Sequence, residues 1–234
     1  MEGAIGARLL SAAELVRQGA VFADVGTDHA YLPLFLLSQK KISRAICSDI
    51  NEGPLNSARE NAAKAGLSDS IEFILADGAA ALAGKGITDY AICGMGGELI
   101  ASIIERARHL RKTEVNLILQ PMSRHGHLRK FLSLNGYEIK CESYSRDGGK
   151  YYVTFLASYT GKESEIDETE SEIGSKTVKN VNKDAQISFL NAKLHTFMKQ
   201  RDGKIRGGDC ADFEKLLVKK IKERIQEIET GENY

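Results

Sequence analysis

The sequence predicts an α/β fold: a mainly parallel sheet, closed by an antiparallel strand hairpin and followed by a helical hairpin. Three observations predict it. Five short apolar runs alternate with helical segments up to Leu134, two β-rich runs meet across Gly148-Gly149, and the composition shifts near Thr160. Strand–helix alternation requires parallel strands covered by helices, because each crossover returns the chain to the same edge of the sheet. With 234 residues, 42% of them apolar and 27% charged, the chain has room for one sizeable domain and an appendage.

The elements follow in order. Residues 1–20 read as an amphipathic helix, with Leu9, Ala13 and Val16 on one face, Leu10 adjacent, and Arg8, Glu14 and Arg17 in water. VFADVG (21–26) is a buried strand, and HAYLPLFLLSQKK (29–41) is helical provided Pro33 lies in its first turn. RAICSDI (44–50) is a strand, and 52–65 a helix with Pro54 near its start and Gly66 as its stop. Strand IEFILA (71–76) ends at Asp77-Gly78, and strand DYAIC (89–93) runs into Gly94-Met95-Gly96-Gly97 and a helical segment. Strand VNLILQ (115–120) ends at Pro121, before a helical stretch to Leu134. EIKCESYSR and KYYVTFLASY, joined by Asp147-Gly148-Gly149, form the antiparallel hairpin.

Residues 162–172 (KESEIDETESE) read as an acidic, solvated linker. Beyond it Ile187, Leu190, Leu194 and Phe197 recur at helical spacing, as do Leu217, Ile221, Arg224 and Ile228, with Arg224 an imperfection. RDGKIRGGD separates the two runs, which gives a helical hairpin packed as a short coiled coil. The expected division is residues 1–160 as one domain and 161–234 as linker and helical hairpin.

Several function classes lose support. Formal net charge is zero, so nucleic-acid binding would need a local basic patch. Cys47, Cys93, Cys141 and Cys210 stand far apart, which suits reduced thiols and neither a disulfide framework nor a zinc site. His125 and His127 have no acid or cysteine partner, so no metal is expected and they read as basic surface. Charges break the N-terminus, and no segment reaches the roughly 18 apolar residues of a membrane span. The expectation is a soluble, cytoplasmic protein away from the membrane.

In open α/β sheets ligands bind outside the carboxyl ends of the strands. Those ends carry Asp24-Val-Gly26-Thr-Asp28-His29, Asp49, Asp77-Gly78, Gly94-Met95-Gly96-Gly97 and Gln120-Pro121. Gly26 allows a tight turn and close backbone approach. Asp28 suits either a helix N-cap or a partner for the ammonium of a methionine moiety. Asp49, 25 positions after Asp24, suits both hydroxyls of a ribose or a helix N-terminus. Asp77 suits an adenine amino group or a turn. The glycines at 94–97 suit either a ligand at the cleft centre or a helix crossing close to the sheet, and Met95 fits the core as well. His29 is open between cleft contact and packing.

The first loop lacks G-x-G-x-x-G, because Asp28 stands in place of the second glycine. A carboxylate there repels a pyrophosphate and suits a cationic methionine group, which favours S-adenosylmethionine over a nicotinamide dinucleotide. Five parallel units closed by an antiparallel hairpin point the same way, to a class I methyltransferase Rossmann-like sheet.

DVGTDHAYLP (24–33), SDI (48–50), ADG (76–78), GMGGELI (94–100), LQP (119–121) and DGGKYY (147–152) resemble the bacterial tRNA (adenine-22-N1)-methyltransferase family over residues 5 to about 160. The resemblance implies methyl transfer from S-adenosylmethionine to N1 of an adenine in the D-arm region of tRNA. It implies cofactor contacts from Asp24, Gly26, Thr27, Asp28, His29, Asp49, Ile50, Asp77, Gly78, Gly94, Met95 and Gly96, with Asp28, His29 and Tyr31 beside the target base. The RNA surface is expected at Arg106, Arg108, Arg111 and Lys112, at Arg124, Arg129 and Lys130, and at Lys199, Arg201, Lys204 and Arg206 near the helical-hairpin tip. Alternatives are a methyltransferase of a small molecule or protein, and a non-catalytic cofactor-binding module that recruits a partner.

Overall fold

The computed structural model describes residues 5–175 and 179–231. Helix α1 (Ala7–Leu15) leads into β1 (Val21–Val25), α2 (Tyr31–Ser38), β2 (Arg44–Asp49), α3 (Glu52–Ala65) and β3 (Ile71–Leu75). There follow β4 (Asp89–Gly96), α4 (Gly97–Arg106), β5 (Asn116–Ser123), α5 (His125–Leu134), β6 (Tyr137–Asp147) and β7 (Lys150–Tyr159). The tail holds α6 (Glu168–Ile173), β8 (Lys179–Val181), α7 (Lys183–Gly207) and α8 (Asp212–Thr230). Among the described residues the sheet has eight strands in the order β3-β2-β1-β4-β5-β7-β6-β8. Strands β1 to β5 run parallel, and β7 pairs antiparallel with both β5 and β6. This is the Rossmann-like, hairpin-closed sheet the sequence predicts.

The order places the switch between β1 and β4, where successive crossovers leave in opposite directions and a crevice opens. Two apolar clusters cover the sheet. One is built on Phe22, Leu36, Ala45, Ala58 and Ile118 under α1 to α3, the other on Ile92, Ile100, Ile104, Leu119, Leu128 and Phe155 under α4 and α5. Pro33 falls in the first turn of α2, where its missing N–H costs nothing, and Gly66 ends α3 in the left-handed conformation at φ +68°.

Strands β4 and β5 run further than their apolar stretches. Residues 94–96 continue β4 with register shifts, and β5 passes through Pro121 to Ser123. Proline is tolerated there because the β7 pairing ends at Leu119, leaving β5 an edge. In α1 the buried residues are Ser11, Ala12 and Ala13, while Leu10 faces solvent. Arg17 stays exposed but forks onto the buried Asp89, while Arg8 leaves the wet face and enters the crevice.

The acidic segment is solvated only over its first part, where residues 162–165 are exposed, and from Asp167 on it is folded. Asp167 caps α6 by accepting from Thr169 N and Glu170 N, and Thr169, Ser171 and Ile173 are buried. Arg129 of α5, 1% exposed, forks onto Glu142 of β6 at 2.7 and 3.1 Å and donates to Ser171 O at 2.8 Å. Lys193 of α7 reaches Glu172 at 2.8 Å, and Phe189 packs edge-on against His125 and Tyr144. Burial and the cations Lys193 and Arg129 push the His125 imidazole down to about 3, so it is a neutral packing group rather than basic surface.

Helices α7 and α8 close a third cluster of Leu190, Leu217, Ile221 and Ile228, with Ile187, Leu194 and Phe197 against it. Arg224, the odd residue in that stripe, donates to Gly174 O and so ties α8 to the end of α6. Helix α7 passes straight through Gly203 and stops at Gly207, later than the glycine-rich composition suggests. Gly208 at φ +80° then donates to Ile205 O and Asp209 to Lys204 O, the paired bonds of a Schellman stop. No helix among the described residues is long and apolar enough to cross a membrane.

Candidate functional site

The crevice is built by turns at the carboxyl edge of β1, β2, β4 and β5. After β1, Gly26 sits at φ +77°, and the amides of Gly26 and Thr27 donate to Ser48 O at 2.8 and 2.9 Å, binding the first loop to the end of β2. Gly94 stands at φ +79° at the end of β4. Gly97 answers a different need. A Cβ there would lie 2.5 Å from Arg124 O, so α4 can start this close to the end of β5 only with glycine. That is the crossing-helix requirement, and the solvent-accessible turn is left to residues 94–96.

Asp24 is 8% exposed, with Thr27 Oγ1 donating to its Oδ2 at 2.6 Å. Burial pushes its carboxyl up to about 6. The neighbouring Asp49 carboxylate adds to the rise, while Thr27 and Arg8 oppose it. Asp49 accepts from Asn51 N through Oδ1 at 2.8 Å, and Ile50 beside it is 63% exposed. Asp28 does not cap α2: the helix starts from Ala30, itself at φ +57°, with no side-chain cap. The Asp28 carboxylate is mostly exposed and lies 3.4 Å from His29 Nε2. His29 in turn stacks obliquely on Tyr31, with ring centroids 5.2 Å apart. Tyr31, Ile50, Leu75, Leu99 and Met122 are exposed and stand at the ends of strands or starts of helices on this edge, giving the crevice apolar walls.

Asp77 is engaged by Arg106, whose two terminal nitrogens reach its oxygens at 2.6 and 3.2 Å and hold its carboxyl below the usual range. Each oxygen keeps a second lone pair for a further donor. Gly78 packs on Ile103 of α4. Arg106 therefore belongs to the crevice wall and not to an outer basic face.

Two residues outside the expected cofactor contacts sit at the floor. Gln120, fully buried at the end of β5, accepts at Oε1 from Arg8 Nη1 at 2.7 Å and from Gly94 N at 3.1 Å, and donates to Pro121 O at 3.1 Å. Arg8 N–H donates to Asp147 Oδ2 at 3.3 Å, and its guanidinium lies 6.0 Å from the Tyr152 ring. The LQP and DGGKYY segments carry a usable signal, because an antiparallel hairpin after β5 must turn at the carboxyl edge. Arg8 lies in an ordinary amphipathic pattern and gives none.

The expected basic surface divides. Arg129 is buried and fully bonded, so it offers nothing to a phosphate. Arg108, Arg111 and Lys112 lie just before β5 at the amino edge of the sheet, away from the crevice, because the crossover helix α4 carries the chain back there. Lys130 is paired with Glu168. Arg124, at φ +56°, is exposed on the crevice side and touches Glu98 at 3.4 Å. Arg146 and Lys150, exposed around the β6–β7 turn, share that edge. On the helical hairpin, Arg201 pairs with Asp202 and Lys204 with Glu214, while Lys199 and Arg206 are exposed. A cavity of about 600 Å³ lined by Arg129, Tyr137, Glu142 and Glu170 lies between α5, β6 and α6, remote from all the strand ends that carry acids and glycine turns.

Comparison with known proteins places this geometry. Residues 5–155 match the family model described as a methyltransferase domain. The chain is 37% identical over 161 residues to the tRNA (adenine(22)-N(1))-methyltransferase of Bacillus subtilis strain 168, covering 68% of this chain and 67% of that protein. A Streptococcus pneumoniae protein solved in complex with S-adenosyl-L-methionine superposes with a TM-score of 0.77 at 31% identity, over 96% of this chain and 99% of that one. TrmK of M. capricolum, solved with S-adenosyl-homocysteine, superposes with a TM-score of 0.70 at 29% identity over 95% of each chain.

Proposed function

The chain belongs to the methyltransferase-domain family and, within it, to the bacterial tRNA (adenine(22)-N1)-methyltransferases, and from that premise we propose that it methylates N1 of adenine 22 in tRNA with S-adenosylmethionine. The observation that carries the reading is the crevice itself: acids at the ends of β1 and β2, a glycine turn at the end of β4, and no pyrophosphate loop. Asp24, Asp28 and Asp49 give a negative crevice that suits a cationic cofactor and a ribose. Gly26 leaves room for the Met95 side chain and Gly94 for the Arg8 guanidinium, and Ile50 and Leu75 offer apolar surface for an adenine ring. Asp77, shared with Arg106, is placed to accept from the adenine amino group.

The cofactor supplies an electrophilic methyl group on a sulfonium. The adenine N1 lone pair is nucleophilic at neutral pH, so the protein needs no strong base, and alignment of the two partners supplies much of the rate. N1 lies on the Watson–Crick edge, so the base must be exposed or swung out before it reacts. Tyr31 and His29 form an aromatic wall for that base, and Asp28 or a backbone carbonyl of residues 94–96 accepts from its N6 amino group. Arg124, with Arg146 and Lys150, is the phosphate-facing surface of this reading, and Lys199, Arg201, Lys204 and Arg206 are a second one on the helical hairpin. Residues 1–160 are the catalytic unit, and 161–234 add β8 to its sheet and carry the helical hairpin that helps seat a large RNA. The protein acts on tRNA in the cytoplasm.

The test is incubation with labelled S-adenosylmethionine and two unmodified transcripts of one tRNA, with adenine or guanine at position 22. Methylation mapped to position 22 in the first transcript and absent from the second is the expected result. Label confined to protein or small molecules, or none in either tRNA, would overturn the reading.

A further inference from the structure

An adenosyl amino acid is zwitterionic at its far end, and the crevice acids answer only its ammonium. The sheet order β3-β2-β1-β4-β5 fixes how such a molecule lies. With a ribose at Asp49 on β2 and an adenine toward Ile50 and Asp77 on the β3 side, the amino-acid end runs across β1 toward β4 and β5. The cation that reaches the crevice floor from α1 is Arg8. Its Nη1 would lie 3.6 Å from a Cβ on Gly94, and the same nitrogen is held at 2.7 Å by Gln120 Oε1. It is near enough to lower the proton affinity of both Asp24 and Cys93. The backbone N–H of Arg8 is anchored on Asp147, and the bond to Gln120 uses one of the guanidinium's five donors.

We propose that Arg8, delivered by α1 to the ends of β4 and β5, is the counter-ion of the cofactor's α-carboxylate. Asp24 and Asp28 face the ammonium and Arg8 the carboxylate, so the protein reads the whole amino acid and not only the adenosine. Gln120 is the positioning residue in this arrangement, fixing the guanidinium and the Gly94 turn through one oxygen. The inference rests on the cofactor reading above.

The experiment compares two ligands by calorimetry, S-adenosylmethionine and its decarboxylated analogue, which lacks only the α-carboxylate. The parent should prefer the complete cofactor by about 10- to 100-fold, the range of a charge-assisted hydrogen bond. Arg8→Met should lose that preference, falling for the complete cofactor while holding the decarboxylated analogue about as well as the parent does. Arg8→Lys should regain part of it. Equal binding of both ligands by the parent, a measurement that needs no variant, would overturn the proposal. So would an Arg8→Met loss of the same size for both ligands, which is the signature of a merely structural role. A parent that binds neither ligand would remove the cofactor reading itself, and this inference with it.

Discussion

Asp24→Asn should raise the stability of the ligand-free protein at neutral pH while weakening its grip on the cofactor. The Asp24 carboxyl is 8% exposed and its folded-state value is pushed up to about 6 from 3.8, chiefly by burial. Because the folded value lies above the unfolded one, the folded state binds the proton more tightly. Stability is then highest below about pH 4, declines as pH rises from about 4 to 6, and stays lowered above that. A rise of about two units corresponds to about 3 kcal/mol. For a chain of this size that is a ceiling of about 6–12 °C in Tm, reduced by whatever the new amide leaves unpaired. The Thr27 bond survives, since an asparagine oxygen accepts as well as a carboxylate. Urea midpoints of parent and variant between pH 4 and 7.5, with unchanged m, measure the effect. The parent should lose stability between about pH 4 and 6 and the variant should lose less, so the curves separate over that window and keep a constant gap above it. Parallel curves over the whole range would refute the burial argument. Tight S-adenosylhomocysteine binding retained by the variant would refute a role for the Asp24 charge in the site.

Two further perturbations test the rest of the structure. Arg129→Met strands Glu142 in the interior beside Tyr144, and should cost about 3–5 kcal/mol in urea unfolding, with Arg129→Met/Glu142→Met recovering part of it; a loss under 1 kcal/mol would mean the pair is not buried as described. Replacing Arg124, Arg146 and Lys150 by alanine should weaken tRNA binding and flatten its dependence on salt, because phosphate contacts act through counterion release, while leaving S-adenosylhomocysteine affinity unchanged. An unchanged slope would assign the RNA to another face.

The sheet and the crevice edge were legible in the sequence because both are written locally. A buried parallel strand is a short apolar run, its end is marked by a glycine or an acid, and Gly26, Asp49 and Gly94 fall where those runs stop. The α7–α8 pairing was legible for the same reason, since a stripe at spacings of three and four needs only its own helix. What the sequence left open was the meeting of distant residues. Arg8 reads as one more wet charge on an amphipathic helix until the fold sets it against Gln120, 112 positions away, and Asp147, 139 positions away. Arg129 reads as surface until α6 closes over it, and Arg108, Arg111 and Lys112 read as part of a binding face until the direction of α4 puts them at the wrong edge. Asp28 fits an N-cap by position, and only the left-handed turn at Ala30 removes it from that role. Periodicity and turn chemistry are set by neighbours a few residues apart, so sequence alone determined the five parallel strands, the closing hairpin and the acids at the strand ends. Charge pairing depends on which side chains the folded sheet brings within about 3 Å, so only the tertiary structure decided which cations serve the crevice and which hold the protein together.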